Sequence, residues 1–194
     1  MDCGKVGKFI LEQRKEKGLT QKELADAMGL SDRTISKWER GAGCPDVSLL
    51  RELAEFFGVS IKNLLQGDLE PNPIDGGNMK RIKFYLCPTC GNVLFGTGEA
   101  EISCCGRRLT PLAVQQATPD HHIQVQEVDN DYDVTIEHEM NKQHYITFVA
   151  YVCYDRVLLV KLYPEQAAEV RVPKRGKGEL YACCNRHGLW KLNK

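Results

Sequence analysis

The sequence predicts a multidomain α + β protein, with five helices at the N-terminus, a small metal-binding knuckle and a C-terminal β-sandwich. Three observations lead to this fold class. Apolar side chains recur at helical spacing through residues 5–66, four cysteines crowd into 87–105, and short alternating runs follow. The predicted domains are a helical domain at 1–66, a linker at 67–80, a four-cysteine metal domain at 81–115 and a sandwich at 116–194.

Composition limits the partners and the compartment. The chain has 194 residues and a formal net charge of +0, so no overall field draws it to nucleic acid or membranes. Any DNA contact therefore requires a local arrangement of charge. No apolar run approaches the roughly 20 residues that span a bilayer, and the N-terminus lacks a signal-peptide core. We expect a cytoplasmic protein with no membrane partner, whose thiols stay reduced.

Nine cysteines in a reducing compartment indicate metal binding more often than disulfides. Seven of them, and all five histidines, follow the predicted linker, so the chemistry belongs to the C-terminal part of the chain. Cys3 and Cys44 are expected to be incidental, and Cys153 to pack in the core. Cys183 is expected to serve packing, with tuning or oxidation beside Cys184 as the alternative.

Capping residues mark the predicted helices. Thr20 and Glu23 form a capping box, and Ser31 is a suitable N-cap for the next helix. Glycines mark the helix ends, at Gly18, Gly29, Gly41 and Gly58. Residues 20–41 are therefore predicted to form two helices joined by a tight turn. Three apolar residues are spaced to pack these helices together: Ala25, Leu30 and Ile35.

The same segment leaves short hydroxyl and charged side chains on an outer face, where they can reach base edges and phosphates in a major groove. These residues are Ser31, Asp32, Arg33, Thr34, Ser36, Lys37 and Arg40. About 60 residues, including Pro45 and the ending VSIKNLL, closely resemble the Cro/phage-repressor-type helix-turn-helix, a five-helix DNA-binding domain. The resemblance implies a double-stranded DNA operator as partner. The implied contacts are Gln21, Arg33, Thr34, Ser36, Lys37 and Arg40.

Charge adds little to the DNA-binding prediction. Residues 1–66 carry 11 Lys and Arg against 10 Asp and Glu, a net charge of +1. The alternative is a helical bundle whose basic residues are simply solvated. Because one such domain reads a short half-site, a DNA-binding chain of this type is expected to act as a homodimer.

The pattern changes after the helices. The linker, GDLEPNPIDGGNMK, is rich in Pro, Gly and Asn, which suits a connection between independent units. Beyond it, short β-type runs alternate with turn signals, which is typical of a β-sandwich. The runs are IKFYL, HHIQVQEV, DVTIEH, YITFVAYVCY, RVLLVKLY and AEVRV.

The first group of metal-ligand types is purely cysteine. Cys87 and Cys90 lie in a Cys-x-x-Cys-Gly turn that points two thiolates at one metal, and Cys104 and Cys105 supply two more. Because the second pair is adjacent, its sulfurs cannot adopt the relaxed knuckle geometry. This order resembles the N-terminal rubredoxin-like iron centre of desulfoferrodoxin. Thiolates suit iron or zinc, so the resemblance favours iron, and structural zinc stays the alternative.

The histidines fall into three segments: DHHIQV at 120–125, HEMNKQHYI at 138–146 and CCNRHGLW at 183–190. His138 and His144 would lie about 20 Å apart on a straight strand, so both reach one metal only if the residues between them loop back. Cys184 and His187 are close enough in a short turn to chelate together.

These segments closely resemble the catalytic domain of superoxide reductase and desulfoferrodoxin, and the resemblance spans about residues 81–194. Its marks include the His-x5-His pair and Cys-Asn-x-His-Gly. That family binds one iron through four equatorial imidazoles and one axial cysteinate, in an immunoglobulin-like β-sandwich. The chain would then hold two mononuclear non-haem iron centres. The implied ligands of the second centre are His122, His138, His144, His187 and Cys184.

The implied reaction is reduction of superoxide to hydrogen peroxide, with electrons from a donor such as rubredoxin. Five protein ligands leave a sixth position for an inner-sphere substrate. Ferrous iron with one thiolate and neutral imidazoles carries a net positive charge, which attracts an anion. Thiolate donation from the opposite side favours electron transfer.

The chain departs from the family in the loop before the first ligand. The family's Glu-Lys is replaced by Asp120 and His121, and the following Pro by Gln124. Histidine, with an ordinary pKa of about 6.5, is mostly neutral at pH 7, so His121 replaces the lysine's charge only when protonated. Asp120 and His121 are the candidate catalytic residues, and His121 is also the alternative to His122 as ligand.

Two other functions stay open. A redox- or iron-sensing transcriptional regulator without significant turnover requires the same ligands as the enzyme. A zinc-stabilised transcription factor without redox chemistry is the third possibility.

Overall fold

The computed structural model describes residues 1–69, 71–74, 79–116 and 123–191. They divide into two compact units, Met1–Pro71 and Asn72–Lys194. Within the described residues, no helix combines the length and the apolar character needed to cross a bilayer. The boundary predicted between residues 115 and 116 stays a prediction, and both sides of it belong to the second unit.

The first unit is helical, as predicted. Its helices are α1 (Cys3–Glu16), α2 (Gln21–Ala27), α3 (Asp32–Glu39), α4 (Val47–Phe57) and α5 (Ile61–Gln66). The predicted caps are confirmed, because Thr20 and Glu23 make a complete capping box before α2 and Ser31 caps α3. The chain leaves α2 at Gly29 with φ of +63°, a conformation that glycine adopts without steric cost.

A buried ion pair lies inside the helical unit. Nε of Arg14 donates to Oε1 of Glu39 at 2.5 Å, and Nε2 of Gln21 donates to Oε2 at 2.7 Å. Burial alone would raise the pKa of Glu39, but the hydrogen bonds from Arg14 and Gln21 outweigh it and hold the pKa below its ordinary value. The apolar core surrounds this pair and includes Val6, Leu24, Ala25, Ile35, Leu53 and Leu64.

Cys3 and Cys44, expected to be incidental, form a disulfide. Cys3 opens α1 and Cys44 follows α3, with their Cα atoms 4.9 Å apart although 41 positions separate them in sequence. The expectation was wrong because it considered compartment and spacing, and neither reports which helices the bundle brings together.

The second unit is built from short strands after one turn of 3₁₀ helix at Met79–Arg81. The strands are β1 (Lys83–Leu86), β2 (Val93–Gly96), β3 (Ile102–Cys104), β4 (Arg107–Leu109), β5 (Val114–Gln116), β6 (Ile123–Val128), β7 (Asp131–Ile136), β8 (Ile146–Val152), β9 (Val157–Lys161), β10 (Glu169–Pro173), β11 (Glu179–Cys184) and β12 (Gly188–Lys191). Hairpins β1–β2 and β3–β4 carry the first cysteine group. The remaining strands form a three-stranded sheet, β10-β7-β6, and a five-stranded sheet, β5-β12-β11-β8-β9.

The two larger sheets pack face to face, which confirms the predicted β-sandwich. Their shared core includes Val134 and Val170 from one sheet, and Val149, Ala182 and Trp190 from the other. Strands β11 and β12 were not predicted, since residues 183–190 were interpreted as a short metal-binding turn and ELYACC shows no alternation.

The other face of the five-stranded sheet is covered as well. Phe84 of β1 packs against Phe148 of β8 and Tyr181 of β11, with ring centroids 5.5 and 5.6 Å apart. All seven residues of β8 are therefore buried. The five-stranded sheet is thus a rigid base from which the ligand-bearing loops start.

Candidate metal centres

The first candidate centre is a four-cysteine cluster, made of Cys87, Cys90, Cys104 and Cys105. Their sulfurs all lie within 4.8 Å of one another, with Cys90 to Cys104 at 3.6 Å and Cys104 to Cys105 at 4.0 Å. Metal–sulfur bonds near 2.3 Å would place tetrahedral sulfurs about 3.8 Å apart, so the cluster fits one tetrahedral ion.

The adjacent pair requires an unusual backbone, as its sequence predicts. Cys105 has φ of +50° and Gly106 has φ of +74° in the turn between β3 and β4. A non-glycine residue rarely adopts this left-handed conformation, and here it lets neighbouring thiols face the same point.

The four thiols differ in acidity. The backbone N–H groups of Cys90 and Thr89 donate to Sγ of Cys87 and lower the pKa of that thiol to about 6. Hydrogen bonds with the thiols of Cys90, Cys87 and Cys104 raise the pKa of Cys105 to about 12. The thiol of Cys87 thus ionises readily, whereas that of Cys105 keeps its proton. Four thiolates so close together would repel one another, so a cation is needed to stabilise them.

The second candidate centre is a His3Cys cluster, made of His138, His144, Cys184 and His187. Nε2 of His144 lies 3.1 Å from Nε2 of His138 and 3.1 Å from Nδ1 of His187. Sγ of Cys184 lies 3.7 Å from Nδ1 of His187, and all four ligand atoms lie within 4.8 Å of one another. Metal–nitrogen bonds near 2.1 Å place adjacent equatorial nitrogens about 3.0 Å apart, which agrees with this arrangement.

Residues 139–143 turn back on themselves and bring the two loop histidines together. Oδ1 of Asn141 accepts hydrogen bonds from the N–H groups of Gln143 at 2.9 Å and His144 at 2.7 Å. Met140 has φ of +49°, which reverses the chain direction. The hydrogen bonds to the short side chain of Asn141 therefore stabilise a turn here, in place of the extended strand that would have kept His138 and His144 apart.

The loop after β11 is locked to this turn. Asn185 exchanges hydrogen bonds with Tyr145, donating its N–H to the Tyr145 carbonyl and accepting the Tyr145 N–H at Oδ1, both at 3.1 Å. The side chains of Asn185 and Arg186 also donate to the carbonyl of Gln143, at 3.0 and 3.1 Å. The N–H of Arg186 lies 3.3 Å from Sγ of Cys184 and donates to it.

Burial gives the His3Cys cluster a direction. Cys184 is 1% exposed, His138 and His144 are half-buried, and His187 is exposed. The sulfur therefore lies on the protein side and the imidazoles lie nearer to solvent.

Two contacts around the imidazoles were not predicted from sequence. Oε2 of Glu139 lies 3.4 Å from Nδ1 of His144 and accepts a 2.8 Å hydrogen bond from Asn141. This carboxylate favours the tautomer that leaves Nε2 available to a metal. The N–H of Met140 donates to Nδ1 of His138 at 3.2 Å. If Nε2 of His138 binds a metal, Nδ1 carries the ring proton and can no longer accept, so the Met140 N–H must then move away.

The remaining candidates are placed as follows. Asp120, His121 and His122 lie outside the described residues. Cys183 is fully buried beside Phe84, and burial raises the pKa of its thiol to about 11, which suits packing.

The proposed DNA contacts lie in the helix-turn-helix segment. Arg33, Lys37 and Arg40 are exposed, whereas Thr34 and Ser36 are half-buried. Thr34 shares a hydrogen bond with Ser31, and the Ser36 carbonyl accepts from Arg40. The side chain of Gln21 donates a hydrogen bond to Glu39. A DNA role for these residues stays a prediction.

Comparison with known proteins agrees with the two units. Residues 10–64 match the family Helix-turn-helix, and residues 115–193 match the family Desulfoferrodoxin. A desulfoferrodoxin from Desulfarculus baarsii is 29% identical over 121 residues, which are 58% of this chain and 96% of that protein. The uncharacterized HTH-type transcriptional regulator y4dJ from Sinorhizobium fredii is 46% identical over 61 residues, which are 31% of this chain and 79% of that protein.

Among solved structures, the superoxide reductase from Treponema pallidum is similar with a TM-score of 0.52 and 23% sequence identity. The match covers 58% of this chain and 97% of that chain. This likeness concerns the fold of the β-rich unit.

Proposed function

We propose that the chain joins DNA binding to superoxide reduction. It belongs to the helix-turn-helix family through its N-terminal domain and carries a desulfoferrodoxin domain after it. The observation that carries the proposal is the His3Cys cluster. Three imidazole nitrogens and one buried sulfur meet at spacings suited to a single iron. Zinc would normally be satisfied by four ligands of a closed set, whereas an exposed face suits a reactive metal.

His122 is proposed as the fourth imidazole ligand. The adjoining residue, Ile123, pairs with Ile136 in the β6–β7 ladder, and His138 follows Ile136 by two positions. The register thus starts β6 close to the cluster. His121 is the alternative ligand, and with Asp120 it is proposed to serve proton delivery.

The chain's own residues would hold and orient the reactants. Bound iron would supply the electron that converts superoxide, with two protons, into hydrogen peroxide. The thiolate of Cys184 would donate electron density from the buried side, supported by the N–H of Arg186. Arg186 also places a cationic side chain in the loop between two ligands, bonded to the carbonyl of Gln143. Its charge favours an approaching anion.

The four-cysteine cluster is proposed to hold iron, with zinc as the alternative. Four thiolates close a tetrahedral site without an open position, so this centre can store or pass an electron but offers no place for substrate. A donor such as rubredoxin is proposed to resupply electrons.

Rapid mixing tests the enzymatic proposal. The reduced, iron-loaded chain should be oxidised by superoxide in a fast second-order step that yields peroxide and no dioxygen. Cys184→Ala should lose the thiolate-to-iron absorption and slow this step at least 100-fold. Cys183→Ala is the matched control, because its side chain packs against Phe84, and it should keep both. Oxidation no faster in wild type than in Cys184→Ala would contradict the proposal.

A second function, redox or iron sensing, is favoured by the fusion itself and by the replacement of the family's lysine with His121. DNA affinity of oxidised, reduced and metal-free protein tests it. At least a fivefold difference among the three states is expected for a sensor. Equal affinity in all three would remove this function.

The DNA-binding half is proposed to act as a homodimer on an operator in the cytoplasm. Arg33, Lys37 and Arg40 present positive charge on and after α3. Lys37→Ala should weaken binding across sequences and reduce its salt dependence, as expected for a phosphate contact. Lys22→Ala, on α2 and equally exposed, is a suitable comparison.

A further inference from the structure

Two further cysteines, Cys3 and Cys44, lie outside both metal clusters, in the helical unit. Cys3 is the first residue of α1, and Cys44 ends the segment Gly41–Cys44 that follows α3, here named the 41–44 turn. The two residues are joined by a disulfide, and both are half-buried, so neither is enclosed in the apolar core.

The two backbone segments touch independently of the sulfur–sulfur bond. A Cβ atom at Gly41 would lie 3.1 Å from Cα of Gly4, and one at Gly7 would overlap the carbonyl oxygen of Trp38. Glycine therefore allows α1 to contact the end of α3 at two levels. If the disulfide is reduced, this packing keeps the two thiols adjacent and ready to close again.

The 41–44 turn directly follows Arg40 and contacts Lys37, two of the predicted DNA contacts. The N–H of Gly41 donates to the carbonyl of Trp38 at 2.8 Å, and the N–H of Ala42 donates to that of Lys37 at 3.0 Å. The side chain of Lys37 also lies against Gly43, where an added Cβ would be 3.0 Å from Cε. Constraining the turn therefore constrains the end of α3 and the position of Lys37.

The chemistry of closure needs a two-electron oxidant. Hydrogen peroxide, the product of the proposed reaction, is such an oxidant: two thiols and one peroxide give one disulfide and two waters. The oxygen–oxygen bond breaks, the sulfur–sulfur bond forms, and the thiol protons leave with the waters.

We propose that Cys3 and Cys44 form a peroxide-responsive thiol–disulfide site that controls the DNA affinity of the helical unit. The disulfide form ties the 41–44 turn covalently to α1 and binds DNA more tightly, whereas in the reduced form only the backbone packing holds the turn, which then moves more. When a disulfide occurs in a reducing compartment such as the one that contains the DNA, it is usually transient and serves catalysis or redox sensing. The inference rests on the proposed DNA binding but not on superoxide turnover.

The test uses the full, metal-loaded chain. Reduced protein is treated with hydrogen peroxide or with diamide, and alkylation followed by mass spectrometry reports the bond between residues 3 and 44. DNA affinity is measured with duplex pools selected from a random library by each state. The disulfide form should bind at least about fivefold more tightly, since ordering a turn with its side chains costs that much. Hydrogen exchange in residues 41–44 should rise on reduction.

The variant Cys3→Ser/Cys44→Ser separates this site from the iron clusters. The double variant should bind DNA with the affinity of reduced wild type, and neither oxidant should change that affinity. Comparing reduced with oxidised wild type tests the same effect without any substitution. The proposal is overturned if peroxide and diamide leave the thiols free, if both states bind DNA equally, or if the double variant still responds. Failure of the superoxide reaction would leave these results unchanged, because the oxidant is added.

Discussion

The four-cysteine cluster takes its ligands from two tight turns at the surface, whereas the His3Cys cluster joins a buried sulfur to imidazoles from two loops. The first offers four like donors at tetrahedral spacing, which would leave a bound ion no open position. The second places its sulfur on the buried side, and among the described residues its imidazoles lie nearer to solvent. The two clusters thus differ in donor type and in burial, which favours a closed ion site in the first and agrees with the reactive site proposed for the second.

Metal removal should show the largest difference between the two. Hairpin β3–β4 has little apolar core of its own, with Leu109 and Ile102 packed near Tyr85 and the cysteines. Structural zinc contributes on the order of 10 kcal/mol in small metal modules. Chelation should therefore increase hydrogen exchange in β3–β4 at least 1,000-fold. Strands β8 and β10 lie in the sandwich core, carry no cluster ligand and serve as the internal control. A uniform rise across the whole unit would show that the sandwich also depends on metal.

Glu139→Gln should weaken metal binding at the His3Cys cluster by about 10- to 100-fold, because carboxylates behind a histidine ligand fix its tautomer and raise its basicity. Competition with a chelator measures the affinity. Glu137→Gln is the matched control, since Glu137 is exposed and accepts a hydrogen bond from Gln124. Equal affinities in the two variants would mean that the Glu139–His144 contact does not orient the ring. The four-cysteine cluster should be unaffected in both.

The pH dependence of metal uptake should separate the clusters more finely. The pKa of Cys87 is lowered to about 6, so above pH 7 this sulfur has no proton for the metal to displace. As pH falls through 6 the thiol gains a proton, and affinity should then drop by a further factor of about ten per pH unit. Zinc titrations between pH 5 and 8 measure this change in slope. A constant slope across that interval would contradict the lowered pKa.

Local patterns predicted most of the helical unit. The capping box at Thr20 and the N-cap at Ser31 act within one turn of helix, so sequence alone reveals them. The four-cysteine spacing was equally readable, because each pair lies in one short turn. The two-sheet sandwich followed from alternating runs such as DVTIEH.

The features that were missed depend on contacts between distant segments. Strands β11 and β12 are covered on both faces and show no alternation. The disulfide joins residues 41 positions apart, and cysteine spacing does not determine pairing. The role of Glu139 arises from the turn at Asn141, which exists only once the two loops meet.

The double coverage of the five-stranded sheet has a consequence for dissecting the chain. A fragment that starts at residue 116 keeps the ligands of the His3Cys cluster but lacks Phe84 and its neighbours. It therefore uncovers the residues clustered with them in the intact unit, Phe148, Ala150, Val152, Tyr181 and Leu189. Such a patch on a sheet promotes self-association. Shortened versions of this protein therefore need either the hairpins or new polar side chains on that face to remain monodisperse.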